Sequence, residues 1–547
     1  MKKIQYLFAT LILGIALTSC GDAFLTQYPE GGTLLQEQYE TLPDNLKGSI
    51  MGIYSKMYEY GGDHDAFAQR AIDMFGDIQS GDMAMKKSSY GWFEVYERGY
   101  FYAYARSYIW SYYYEMINLI NLCTMAIESN TEAIQQGIAE PDSITDNIAL
   151  QGYYYGQVLA LRGWAYAGLL NYYCNPMDAL EKPMDEELAI PVYTETEVKN
   201  QALGAPRSTV ADVYGRVYED LSLAIDLLET YGPLNQRASK LEVDADVARV
   251  MLAYAMLNHG NKDIIIAGEG SENPKNAYHI ALEMAEAAIK NGKYPMMKQA
   301  ELTETGFADV NAANWMWGQD VTVETTSALA SFFGQVDIHT YSYAQAGDTK
   351  AIDSKLYEEI TKNAWDARIN WFRSGDDKNY PYVPDGKFYC PRTRHTTADS
   401  QVDRDWLCDN IFMRIEVAYL IAAEAAWAND DNATAAKWLT ELCNERVLEG
   451  KDAEYNTWTA TLTSDEAIKN ALVYNWRVEM WGEGYGLQTL RRLSKSVTLG
   501  ENHLSRATST ISIEGEDGEM FQCEIPTSET RYNPYLATTN LKQKNEQ

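Results

Sequence analysis

The stretch YLIAAEAAWANDDNATAAKWLTELCNERV, residues 419–447, decides the fold class. Its first half repeats small and apolar residues at helical spacing, a polar NDDN turn follows, and a second helical run begins at once. Two helices joined by so short a turn must lie antiparallel. Ala422, Ala423, Ala426, Ala433 and Ala436 let their backbones approach closely. The segments ARVMLAYAMLNHGN (248–261) and NPKNAYHIALEMAEAAIKNGKYPM (273–296) repeat the plan around a longer insertion.

Working outward, the same periodicity predicts helices over 44–59, 104–128, 150–172, 208–230, 244–258, 276–291, 411–428, 433–448 and 464–482. In DVYGRVYEDLSLAIDLL (212–228), Val213, Val217, Leu221, Ile225 and Leu228 fall on one stripe, and Thr209 is placed to cap that helix. The paired helices resemble degenerate tetratricopeptide hairpins without a clean repeat length. The fold is therefore read as mainly α, a tetratricopeptide-like helical repeat scaffold. Between 293 and 410 the pattern gives way to Gly-, Pro-, Asp- and Asn-rich chain with strand candidates such as DVTVET (320–325). Long irregular segments on a rigid scaffold are where binding functions concentrate.

Residues 90–114, YGWFEVYERGYFYAYARSYIWSYYY, hold thirteen aromatic side chains in twenty-five positions. At about 100° per residue, Trp110, Tyr114, Ile117 and Asn121 share one stripe while Tyr104, Tyr108 and Tyr112 form another roughly opposite. A helix aromatic on two faces packs between neighbours, so 104–114 reads as scaffold. The preceding YGWFEVYERGY lacks that order and reads as a loop at the scaffold's edge.

The chain has 547 residues, 45 basic and 78 acidic, for a net charge of −33. Such a field repels phosphate backbones and argues against nucleic-acid binding, while a neutral ligand is indifferent to it. Lys2 and Lys3 precede an apolar run from Tyr6 to Leu17, too short to span a bilayer as a stable helix, and Leu17-Thr18-Ser19-Cys20 follows. This resembles a bacterial lipobox, with Cys20 acylated and 1–19 removed as a signal peptide. Several acyl chains on one cysteine anchor stably where a single chain is marginal. Cys123, Cys174, Cys390, Cys408, Cys443 and Cys523 fit no disulfide or zinc spacing and are expected to be free and buried.

Motifs for catalysis do not emerge. The six histidines are scattered, with no His-Glu-x-x-His pair, no Gly-x-Ser-x-Gly elbow and no phosphate-cradling glycine loop. No enzyme activity and no cofactor are therefore expected. The sole metal candidates are Asp73, Asp77 and Asp82 in DMFGDIQSGDM, offered for calcium without EF-hand spacing.

Several separated stretches together resemble the SusD/RagB family of outer-membrane nutrient-binding lipoproteins. They are the lipobox followed by DAFLTQYP, the Trp110-x3-Tyr114-x2-Ile117-x3-Asn121 stripe, and GQVLALRGWAYAGLLNYY (156–173) with Arg162 and Tyr166 in place and Gln157 for the usual glutamate. AIPVYTE (189–195), PRSTVADVYGRVYEDLSLAIDLL (206–228), RIEVAYLIAAEA (414–425), WRVEMWGEGYGLQTLRRL (476–493) and Ile525-Pro526-x2-Glu529-x3-Asn533-Pro534 follow in order. One departure stands out. Where the family has Glu-Gly-x-Arg-x2-Asp-Leu, this chain has Gly486 and Thr489 in place of the arginine and the aspartate. Stranding one member of a buried pair costs on the order of 3–5 kcal/mol, whereas losing both is near neutral. The paired loss is thus expected to leave no orphaned buried charge beside Gly486.

The resemblance implies a SusD-like fold with a loop-rich, partly β ligand-binding region. It also implies a cell-surface glycan-binding lipoprotein, held at the outer membrane through Cys20. Such a protein delivers oligosaccharides to a SusC-like TonB-dependent transporter. Its implied divisions are a tether over 20–43, an N-terminal helical region over 44–292, a ligand-binding insertion over 293–410 and a C-terminal region over 411–547. Sugars are held by flat aromatic rings and a few polar groups. The candidates outside helix cores are Trp92, Phe93 and Tyr96, Trp315 and Trp317 (two apart, sharing a face if in a strand), and Tyr341 and Tyr343 at the same spacing. A peptide-binding importer of the same family, or a helical-repeat envelope adaptor that binds no sugar, are the alternatives.

Overall fold

Stripes and capping residues become helices close to where the sequence sets them. The computed structural model describes residues 43–94, 103–176, 182–263, 275–394, 406–494, 496–504, 510–512 and 522–536; Cys20, most of the tether and Tyr96 lie outside them. The helices that build the scaffold and site are α1 (Pro43–Ser55), α2 (Gln69–Ser80), α3 (Ala103–Ile127), α4 (Asp146–Tyr173), α5 (Glu195–Lys199), α6 (Val210–Tyr231), α7 (Ala245–His259), α8 (Ala277–Asn291), α9 (Glu416–Ala428), α10 (Asn432–Asn444), α11 (Asp465–Glu479) and α12 (Thr527–Tyr532). Thr209 caps α6 as its position demands. Its hydroxyl accepts the Asp212 N–H at 3.1 Å, and the Asp212 carboxylate accepts the Thr209 N–H at 3.3 Å.

Each long helix packs chiefly on its neighbours in sequence, α3 on α4, α4 on α6, and so through α7, α8, α9 and α10. Nearest-neighbour stacking of this kind is the signature of helical repeats. Close approach is built into α4. A Cβ on Gly152, Gly156 or Gly163 would stand 2.4, 2.9 or 2.6 Å from Tyr231, Leu228 or Leu221 of α6. The aromatic helix α3 is scaffold, as its two stripes imply, with Trp110, Tyr112 and Tyr113 buried and Tyr108 and Tyr114 half-buried.

The described strands form four two-stranded antiparallel sheets. They pair β1 (Met83–Ala84) with β5 (Ala351–Ile352), β2 (Leu188–Pro191) with β3 (Arg207–Thr209), β4 (Trp315–Gln319) with β6 (Asn410–Arg414), and β7 (Ser496–Thr498) with β8 (Thr510–Ser512). Two sequence expectations are corrected here. Residues 411–414, expected to open a helix over 411–428, belong instead to β6, in register with Arg414 opposite Trp315 and Asn410 opposite Gln319. DVTVET is an irregular turn, because the strand lies just before it at β4. Helix α2, absent from the expected set, is buried over nearly its whole length.

The motif residues are staples between elements. Arg162 holds Asp220 through two bonds of 2.7 and 2.8 Å and reaches Asn121 and Glu195 at 3.0 Å each. Tyr166 donates to the Tyr193 carbonyl and accepts its N–H at 2.6 and 2.8 Å. Gln157 serves as a neutral acceptor for the Tyr54 hydroxyl and the Val243 N–H. A second, larger staple is fully ionic. Arg368, Lys387, Arg414 and Arg446 meet Asp366, Glu416, Glu479 and Glu483, all buried. Arg414 reaches Glu479 at 2.6 Å and Glu483 at 2.9 Å, while Arg446 holds Glu479 at 2.7 Å. Four positive and four negative groups balance, so the network ties the irregular 366–387 segment to the helices without leaving a net buried charge.

Beside Gly486 lies a buried carboxyl without a cationic partner, whose burial is met by holding its proton. The Asp77 carboxylate is buried there, accepting the Gly484 and Gly486 N–H groups at 3.1 and 3.0 Å. Among the described residues no cation pairs with it. Burial first, and then the neighbouring Asp82, push its carboxyl up to about 8, against the pull of the two N–H bonds. A Cβ at position 486 would stand 2.9 Å from Asp77 and 2.6 Å from Asp82. A cation at this position would thus face the α2 carboxylates, and its loss strands Asp77 whatever occupies 489. Thr489 itself is buried with its hydroxyl unbonded. The six described cysteines are buried and none is in a disulfide, as expected.

Candidate functional site

The loop over 88–94 follows β1 and is fixed at three points. Asp348 accepts the Ser89 and Tyr90 N–H groups at 2.6 and 2.8 Å. Gly91, at φ +82, takes the left-handed turn that a side chain would strain, and its N–H bonds the Ser88 hydroxyl at 3.0 Å. Phe93 then plugs into the core against Phe67, with ring centroids 5.9 Å apart. With its base anchored, the loop presents Tyr90 and Trp92 outward.

These two rings join aromatic groups from two distant segments. The His64 ring stacks on Trp92 at 5.3 Å and 14°, and its Nδ1 lies 2.7 Å from the Tyr343 hydroxyl. Tyr343 meets Tyr90 edge-on at 5.1 Å, and Tyr60 meets His64 edge-on at 6.3 Å. Tyr60 and Tyr90 are 45% and 55% exposed, Trp92 and His64 are half-buried and Tyr343 is buried beneath them, so the first four rings form part of the surface. Beneath it, the buried Lys350 ammonium donates to Gln335 at 2.7 Å, and Gln335 donates in turn to the His64 carbonyl at 2.9 Å. Burial pulls the Lys350 ammonium down to about 7 and raises the Asp65 carboxyl to about 6. Mixed aromatic edges and faces above a hydrogen-bonded base suit a ligand with apolar C–H faces and hydroxyls.

Of the candidates read from sequence, the structure brings Trp92 and Tyr343 together and separates the others. Phe93 is a core plug. Trp315 and Trp317 share strand β4, but it is covered on both faces; Trp317 packs on Trp164 at 5.3 Å and donates its indole N–H to the Leu241 carbonyl. These three rings are therefore withdrawn as ligand contacts. Tyr341 and Tyr343 sit in a turn rather than a strand and diverge. Tyr341 is 40% exposed beside Trp406, whose indole N–H bonds its carbonyl at 2.9 Å. Asp73 is bound to Arg70 at 2.8 Å and Asp82 to Arg477 at 2.6 Å, and among the described residues no cluster of three such side chains is placed to hold a metal ion. Tyr60, His64, Tyr90 and Trp406 escaped the sequence reading. The turn-rich YGGDHD (60–65) carried the one available signal, an aromatic and a histidine flanking two glycines outside any helix.

Residues 41–252 match a family model described as SusD-like, starch-binding and associating with the outer membrane. No curated protein matches the chain. Among solved structures, a SusD-like carbohydrate binding protein from Bacteroides vulgatus superposes with a TM-score of 0.67 at 19% identity, covering 90% of this chain and 97% of its own. A SusD superfamily protein from Bacteroides fragilis gives 0.67 at 17% identity over 91% and 99%. A putative sugar binding protein from Bacteroides vulgatus gives 0.63 at 22% identity over 90% and 97%.

Proposed function

We propose, for a chain that is SusD-like in family model over residues 41–252 and in fold over 90% of its length, that it captures neutral oligosaccharides at the cell surface and passes them to a SusC-like TonB-dependent transporter. The observation that carries the reading is the surface cluster in which Tyr90 and Trp92, on a loop locked by Asp348 and Phe93, meet Tyr60 and His64 over the buried Tyr343. Such a platform is largely pre-formed, which limits the ordering cost of binding. The chain acts by binding, without turnover of the glycan, and is held at the outer membrane through acylated Cys20. Among the described residues no helix is long and apolar enough to cross a membrane, which is compatible with a lipid tether.

Calorimetric titration of the tether-free protein against neutral plant and host oligosaccharides tests the ligand class. Saturable binding to at least one glycan is expected. Binding to oligopeptides with none to any glycan would transfer the chain to a peptide-import role. Affinity purification from detergent-solubilised outer membrane tests delivery, with a co-purifying β-barrel transporter as the expected result.

A further inference from the structure

A second site lies away from the aromatic surface, where α3, α5 and α12 converge. Here a cavity of about 400 Å³ is walled by Trp110, Tyr114 and Tyr193, with Asn118, Glu197 and Glu529 at its polar side. Trp110 and Tyr114 have centroids 4.6 Å apart, and Tyr193 stands at 89° to Tyr114 at 5.6 Å, so the rings form a corner rather than a flat stack. The corner is held rigid. Tyr114 donates to the Pro191 carbonyl at 2.7 Å, the Tyr193 backbone is bonded by Tyr166 and Asn121, and the Tyr193 hydroxyl accepts from Asn533 at 3.2 Å. Burial first, and then the Glu529 and Glu197 carboxylates, raise the Tyr193 phenol; both carboxylates line the cavity, and Glu197 also accepts the Thr194 N–H and hydroxyl at 2.7 Å each.

No lysine, arginine or histidine is among the residues lining this cavity. Arg162, which bonds Asn121, is already matched by Asp220 and Glu195, and Lys199 of α5 is drawn to Glu128. The contrast with a second cavity is direct. That cavity, of about 380 Å³, is lined by Arg237, Arg249 and Lys293, each already paired with Asp244, Glu229 or Asp246. The first cavity has π faces and carboxylates but no cation of its own. Ring faces attract ammonium and guanidinium groups, and more strongly when the group is desolvated.

We infer that the Trp110–Tyr114–Tyr193 cavity binds an organic cation, an alkylammonium or guanidinium group, with Glu197 and Glu529 as its counter-charges. The group can arrive on the basic side chain of a peptide or as a free polyamine. Calorimetry with acetyl-arginine amide, acetyl-lysine amide, spermidine and the neutral acetyl-citrulline amide tests the inference and separates the sources. Saturable binding of a cationic probe and none of citrulline is expected. Glu529→Gln with Glu197→Gln should weaken that binding by about tenfold or more, roughly 1.4 kcal/mol. Asn118→Arg, which sets a fixed cation at an exposed position on the rim, should abolish it at unchanged melting temperature. Equal binding of citrulline, unchanged affinity in either variant, or no saturable binding of any cationic probe would overturn the assignment.

Discussion

Asp77 shows how one missing side chain changes its surroundings. With glycine at 486, two backbone N–H groups are left to stabilise a buried carboxylate that also faces Asp82. Its folded-state pKa of about 8 lies above the ordinary 3.8, so the native state holds a proton that the unfolded chain releases. The sign follows from linkage. This residue detracts nothing below pH 3.8, and stability falls as pH rises from there towards about 8. Asp77→Asn removes the titration. The stability of the variant relative to wild type should therefore increase between pH 5 and pH 8, measured by urea unfolding at both. A difference that does not change with pH would contradict the assignment. The aspartates of DMFGDIQSGDM were legible as unusual in the sequence, but not as residues enclosed by the GEGYG segment some four hundred positions away.

Buried and exposed ion pairs should behave differently at the scale of elements. Arg414 is fully buried and holds Glu479 and Glu483 at once, so Arg414→Ala leaves the buried network one positive charge short, with Glu479 kept by Arg446 and Glu483 by Lys387, and should cost about 3–5 kcal/mol in urea unfolding. Glu128→Ala breaks the exposed pair with Lys199 and should cost under about 1 kcal/mol. Comparable losses in the two variants would show that the network does not carry the junction between helices and loops. The elements also show where sequence reading succeeds. Helices α6 to α8 were legible because each long apolar run opens on a side-chain cap, at Thr209, Asp244 and Asn276. Helix α2 was not, since no side chain caps its start and its polar residues Arg70, Asp73, Asp77 and Gln79 are buried along with its apolar ones. Strand β6 was read as helix because its apolar run merges with that of α9. Trp315 and Trp317 do lie in a strand, the condition under which their spacing was read, yet that spacing carries no information on whether a strand has a free face. Tyr60, His64 and Trp92 meet only through tertiary contacts, so local pattern could nominate Trp92 but not its partners.

For the whole molecule, a net charge of −33 surrounds a proposed site for uncharged ligand. Affinity for a neutral oligosaccharide should change by less than about twofold between roughly 50 and 500 mM NaCl, while any polyanionic glycan should bind better as salt screens the repulsion. A steep salt dependence for a neutral glycan would point to a charged ligand instead. The repeat scaffold gives this surface a rigid base, with the irregular segments folded onto the same core as the helices. The central claim is that glycan capture occurs at the loop locked by Asp348 and Phe93, and it is tested most directly by titrating the best-bound oligosaccharide into wild type, Trp92→Ala and the surface control Tyr532→Ala. Tyr532 is 75% exposed and outside the cluster. Loss of a stacking ring should weaken Trp92→Ala by about tenfold, ~1.4 kcal/mol, at a melting temperature close to wild type, with Tyr532→Ala unchanged. Wild-type affinity in Trp92→Ala would contradict the account and place the glycan elsewhere.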